Sequence, residues 1–136
     1  MIRRAIDRCG KRIVLSLSPG PTPLEEAEHV STHANMWRII GDFWDNWTQV
    51  ENHFTLFERW IPFMRRGHWP DGDMLPLGNI RTMQSDNWTR FTTNEQRTLM
   101  TLWSIARSPL IMGGHLPNND AFTLSLLSNR EVITVN

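Results

Sequence analysis

Short apolar runs alternate with amphipathic stretches along the whole chain, and this alternation restricts the fold more than any other feature. Four apolar, partly β-branched segments (11–18, 35–40, 67–78 and 110–112) are each followed by a stretch with helical spacing. Repeated strand–helix units place their strands in parallel, because each helix carries the chain back across the sheet. Four such units are half of a (β/α)8 barrel. The reading is an α/β fold occupying residues 1–136 as one partial barrel domain. A chain of this length holds one core and not two.

The local signals are specific. Ile2, Ala5, Ile6 and Cys9 lie at helical spacing, and Gly10 is a helix stop. Residues 11–18 (KRIVLSLS) read as a buried strand feeding a rigid loop at Pro19, Gly20, Pro21 and Pro23. A short polar helix is expected over 24–33 and a strand over 35–40. Phe43, Trp47, Val50, Phe54, Phe57 and Ile61 then form an apolar stripe that Pro62 ends. Residues 67–78 are a third strand and loop, followed by a polar excursion over 79–90. Thr92 and Glu95 make a capping-box pattern ahead of a helix that stops near Ser108 and Pro109. A fourth strand is expected over 110–112, closed by Gly113 and Gly114, and a last helix over 120–127.

Several functions are disfavoured. The formal charge is +0 with both signs interspersed, so no basic stripe points to nucleic acid. No apolar run reaches the roughly 18–20 residues of a membrane span. The basic start is not followed by the apolar stretch of a signal peptide. Cys9 is the only cysteine and has no histidine partner in its element. No glycine-rich phosphate loop opens a helix, so no nucleotide cofactor is implied, and no G-x-S-x-G elbow is present. His29 and His33 have ligand spacing but no third partner, and His68, Asp71 and Asp73 are too few for a hard cation, so no metal is expected.

The unusual polar residues fall after the strands, where a parallel barrel places its active site. Ser16 and Ser18 end the first strand, Arg38 and Asp42 follow the second, and Asp71 and Asp73 flank the third. On an extended segment Asp71 and Asp73 point to one side. Carboxylates at a rim beside an arginine suit glycosidic chemistry, in which one carboxyl protonates the leaving oxygen and another attacks the anomeric carbon. Plainer roles remain open at this level. Asp42 fits an N-cap for a helix beginning at Phe43, and Asp71 and Asp73 fit turn residues beside Pro70 and Gly72. Trp37, Trp44, Trp47, Trp60 and Met74 fit a core.

The segments RIVLSLSPG, ANMWRIIGDFWDNW, WPDGDMLPLG, NEQRTLMTLWSIARSPLIMGG and LLSNREVITVN occur in this order. Together they closely resemble the second half of the catalytic barrel of glycoside hydrolase family 27, the α-galactosidase and α-N-acetylgalactosaminidase (melibiase) family, in its bacterial form. The resemblance implies a retaining hydrolysis of terminal α-D-galactosides. Its W-R-x-x-x-D pattern is matched by Trp37, Arg38 and Asp42, which implies Asp42 as acid/base and Arg38 as a ligand near the sugar 2-position. Its W-x-D-x-D-M-L pattern is matched by Trp69, Asp71, Asp73, Met74 and Leu75. There Asp73 and Met74 would line the sugar pocket, with Asp71, Trp37 and Trp69 in support. Ser18 stands where the family distinguishes a 2-hydroxyl from a 2-acetamido group, although its Pro-Gly-Pro surroundings depart from the family pattern.

The family's nucleophile motif, a Y-x-K-x-D strand, has no match here, nor does its C-terminal β-sandwich. The expectation is a barrel fragment that is inactive alone and either needs an N-terminal half or self-associates through exposed strand edges. Family members are often secreted or periplasmic. The alternatives are a non-catalytic half-barrel that binds sugar or another protein, and α-N-acetylgalactosaminidase specificity.

Overall fold

In the computed structural model, which describes residues 1–81 and 87–136, the sheet is built outward from one central strand. This strand, β2 (Met36–Arg38), pairs in parallel with β1 (Ser16–Leu17) on one side and β3 (Trp69–Asp71) on the other. The spatial order β1-β2-β3 is the sequence order, and the intervening crossovers make the pairing parallel. A 3-10 turn at Leu24–Glu26 and helix α2 (Ala27–His33) connect β1 to β2, and α3 (Trp47–Trp60) connects β2 to β3. Helix α1 (Ile2–Cys9) precedes β1, while α4 (Thr93–Ile105), α5 (Ala121–Leu127) and α6 (Arg130–Val135) follow β3.

The helix boundaries follow local chemistry. Gly10 takes the left-handed conformation (φ 67°) and ends α1. Thr92 accepts from the Glu95 amide while the Glu95 carboxylate accepts from the Thr92 amide, closing the capping box of α4. Asp120 caps α5 by accepting from the Thr123 amide at 2.7 Å.

Three expectations about the elements need correction. The segment 110–112 is not a fourth strand: among the described residues it makes a single parallel bridge, Met112 to Leu75. The Leu77 amide turns back onto the Leu75 carbonyl and the Ile111 amide onto the Pro109 carbonyl, so no ladder develops. Nor is 11–18 a buried strand, since only Ser16 and Leu17 pair and Ile13 and Val14 are exposed. Helix α3 begins at Trp47, not Phe43, and its cap is Asn46, which accepts from the Thr48 amide at 2.9 Å. Its buried face is Val50, His53, Phe57 and Trp60, whereas Phe54 and Ile61 project outward. Trp44, expected in the core, is also exposed.

The core joins the sheet to α3 and α4 through stacked and edge-on rings. Phe43 stacks on Trp103 at 5.3 Å, Phe57 meets Trp103 edge-on at 5.4 Å, and Trp37 lies 5.8 Å from Trp60. Gly72, just after β3, is pressed against this cluster: a Cβ there would lie 2.6 Å from Phe57 Cζ and 3.0 Å from Trp103 Cζ2. Gly72→Ala is therefore expected to lower stability by about 1–3 kcal/mol, as for other overpacked cores. Urea unfolding measures this, and an unchanged midpoint would contradict the close approach.

Candidate active site

Arg38, the last residue of β2, carries its guanidinium into the space beyond the strand ends with its side chain 10% exposed. A buried cation has to be paired and hydrogen-bonded. Nη2 donates to Asp73 Oδ2 at 2.7 Å, to the Gly41 carbonyl at 2.9 Å and, at 3.4 Å, to Asp42 Oδ1. Nη1 donates to Ser18 Oγ at 3.3 Å. Ser18, Arg38, Asp42 and Asp73 are thus brought to one place from the ends of all three strands.

The backbone after β3 aims Asp73. The Ile39 amide donates to the Asp71 carbonyl at 3.0 Å, continuing the β2–β3 pairing by one bond. Gly72 then donates its amide to Ser108 Oγ at 3.0 Å, and Asp73 turns into the left-handed region at φ 78°. Aspartate tolerates this conformation better than most residues. The turn is held by the Trp103 indole, which donates to the Asp73 carbonyl at 2.9 Å, and by the Asp73 amide, which donates to Asp71 Oδ1 at 2.9 Å. Asp71 and Asp73 do not share one side of an extended strand, because β3 has already ended at Asp71. Burial pushes the Asp71 carboxyl above its usual range, while the Asp73 amide and Arg38 pull it back.

Two carboxylates therefore flank one guanidinium nitrogen in different environments. Asp73 Oδ2 accepts from Arg38 and from the Phe43 amide at 2.8 Å, and its Oδ1 makes no hydrogen bond among the described residues, leaving an acceptor for a ligand hydroxyl. Asp42 is 92% exposed. It is not the cap of α3, which starts five residues later and is capped by Asn46, so its carboxyl is open to a bound molecule. Met74 is half-buried against Gly113, and Trp37 is a core residue. Trp69 lies at the opposite end of β3, among Val14, Asn35, Met36 and Asn136. His68, placed before β3, has its Nδ1 against the Ala34 carbonyl at 2.6 Å and does not join Asp71 and Asp73. Among the described residues no three potential ligands gather for a metal ion, His29 and His33 included.

Sequence reasoning missed Asp45. Its carboxylate is completely buried and paired with Arg81 and Arg90; the Arg90 amide donates to Oδ2 at 2.7 Å and the Arg90 side chain to both oxygens at 3.1 Å. The cluster ties the turn carrying Asp42 and Phe43 to the segment before α4. The aspartate itself was visible, but arginines 36 and 45 residues away left no local signal. Burial opposes ionisation of Asp45, but the hydrogen bonds from Arg90 and Arg81 outweigh it and bring its pKa from 3.8 to about 2. Its stabilising effect is thus complete above the ordinary value and disappears as pH falls toward about 2. Asp45→Asn is expected to cost about 1–2 kcal/mol near neutral pH, discounted because Arg90 is largely exposed, and almost nothing near pH 2. Denaturation of both proteins across this range checks it; a gap that does not close in acid would contradict it.

The family model described as alpha galactosidase A (melibiase) matches residues 1–136. A glycoside hydrolase family 27 β-L-arabinopyranosidase from Geobacillus stearothermophilus superposes with a TM-score of 0.90 at 55% identity, covering 98% of this chain and 32% of that one. Alpha-galactosidase 2 of Arabidopsis thaliana is 37% identical over 102 residues, 75% of this chain and 24% of its own length. Alpha-N-acetylgalactosaminidase of Gallus gallus is 30% identical over 142 residues, 98% of this chain and 33% of its own. The chain thus spans between 24% and 33% of these relatives.

Proposed function

This chain belongs to the alpha-galactosidase A family, glycoside hydrolase family 27, and on that premise we propose that it carries the acid/base rim of a retaining glycosidase acting on terminal α-D-galactosides. The observation that carries the reading is the Arg38 guanidinium, which holds Asp73 and Ser18 inward and leaves the Asp42 carboxyl exposed beside them. Asp42 protonates the leaving oxygen and then deprotonates water. Arg38 binds the sugar near its 2-position beside Ser18, Asp73 Oδ1 accepts from a hydroxyl, and Met74 lines the pocket. Asp71 supports them by accepting from the Asp73 amide, and Trp37 packs in the core beneath; Trp69, at the far end of β3, takes no part in the rim. The chemistry requires no metal or cofactor.

A retaining mechanism needs a second carboxyl about 5–5.5 Å from the first. Asp73 spends Oδ2 on Arg38 and the Phe43 amide and Oδ1 on a sugar hydroxyl, and Asp71 is buried on the Asp73 amide, so neither is assigned as the nucleophile. In this reading the nucleophile comes from a longer protein, in which residues 1–136 form the C-terminal half of a (β/α)8 barrel. Sequential parallel strands and the fraction of each relative covered support this. Ser18 keeps α-N-acetylgalactosaminides as an alternative substrate class.

A second reading, β-L-arabinopyranosides, is favoured by the 55% identity with the Geobacillus enzyme. The two sugars share ring and hydroxyl configuration and differ by the exocyclic hydroxymethyl group, so one set of polar ligands serves both. The chain alone is expected to hydrolyse neither p-nitrophenyl glycoside. Turnover that Asp42→Ala abolishes would mean that Asp71 or Asp73 acts as nucleophile and would overturn the incomplete-site reading. Co-expressed with the N-terminal part of the Geobacillus enzyme, the chain is expected to become active, with Asp42→Ala reducing kcat by about 10²-fold or more. Complemented activity indifferent to Asp42→Ala would remove the acid/base assignment, and a higher kcat/KM on the arabinopyranoside would select the second reading.

A further inference from the structure

His53 is fully buried on α3, and each of its ring nitrogens faces a carbonyl oxygen. Nδ1 lies 2.7 Å from the Gln49 oxygen and Nε2 lies 2.9 Å from the Gly72 oxygen. Phe43, Phe57 and Trp103 enclose the ring at 4.7, 5.7 and 4.6 Å. Burial holds the imidazole pKa below its ordinary value against the pull of the two carbonyls; of the charged groups facing it, Asp73 raises and Arg38 lowers it. The neutral ring has a single N–H and serves only one of the two carbonyls.

The two carbonyls differ in need. The Gln49 oxygen lies within α3, where the backbone amide four residues on, that of His53 itself, is its helical donor. The Gly72 oxygen receives no other hydrogen bond among the described residues. A buried carbonyl left without a donor costs more than one shared donor gains.

We propose that His53 is a positioning residue for the acidic turn after β3: as the Nε2–H tautomer it donates to the Gly72 carbonyl and fixes the Gly72–Asp73 peptide. With that peptide fixed, Asp73 keeps the left-handed conformation in which its carboxylate meets Arg38 and the Phe43 amide. The functional consequence rests on Asp73 being a sugar ligand, as proposed above; the tautomer does not.

The test uses the full chain labelled with nitrogen-15. Long-range proton–nitrogen correlation near neutral pH is expected to show the His53 proton on Nε2 and an unprotonated Nδ1. A proton on Nδ1 would overturn the proposal, whatever the variants do. His53→Phe keeps a ring but removes the donor, and is expected to speed hydrogen exchange of the Phe43 amide roughly tenfold, as for one lost hydrogen bond. His53→Gln, whose side-chain amide reaches toward the Gly72 oxygen, is expected to restore most of that protection. Amides within α4 should not respond to either variant. Equal acceleration throughout the protein, or an unmoved Phe43 amide in His53→Phe, would assign His53 to general core packing instead. Neither readout uses a sugar, so a failed glycosidase reading and a failed positioning role give different results.

Discussion

The ion pair between Arg38 and Asp73 is the constraint on which the rest of the rim depends. A guanidinium at the end of a central strand, nearly out of water, is stable only when several acceptors meet it. Here they come from the loops after all three strands: Ser18 after β1, Gly41 and Asp42 after β2, and Asp73 after β3. One side chain therefore ties together the C-terminal ends of a sheet whose outer strand pairs over only two residues. The tie gathers Ser18, Asp42 and Asp73 around one guanidinium, so in the reading proposed above holding the rim together and building the sugar site are the same arrangement.

The acidic turn shows how much supports that arrangement. A left-handed aspartate is disfavoured, by about 1–3 kcal/mol for a strained residue in general. The Trp103 indole, the Asp71 carboxylate, the Ser108 hydroxyl and the His53 ring all bond to the three residues of the turn. Gly72 is there because Phe57 and Trp103 leave no room for a Cβ. Three of these supports, Trp103, Ser108 and His53, are buried, so the core packed against the turn sets the carboxylate geometry. Substitutions deep in α3 or α4 should therefore affect the site without touching it.

The side of β1 away from β2 has a different character. Among the described residues β1 has one neighbour, and Ile13 and Val14 before it are exposed. Apolar residues beside an unpaired strand edge are the feature that proteins ordinarily cover. In the half-barrel arrangement proposed above, a preceding strand of the same barrel covers them.

What the sequence determined by itself was local. Alternating apolar and amphipathic segments were enough for parallel strands in sequential order. Gly10 and the Thr92 and Glu95 pair marked helix ends, because caps and left-handed stops act within three or four residues. The motifs around Arg38 and Asp73 were legible for the same reason, as fixed spacings on short segments. Tertiary structure alone decided which of these residues were free. Asp42 looked like a cap until α3 began at Trp47, and 110–112 looked like a strand until Leu77 and Ile111 proved to bond back within their own segments. Asp45 carried no local pattern, and the spacing of His53 on α3 did not show its bond to Gly72, since the partners that define them lie 19 to 45 residues away. A carboxylate or imidazole is defined by what surrounds it after folding, and periodicity over a few residues does not encode contacts between distant segments.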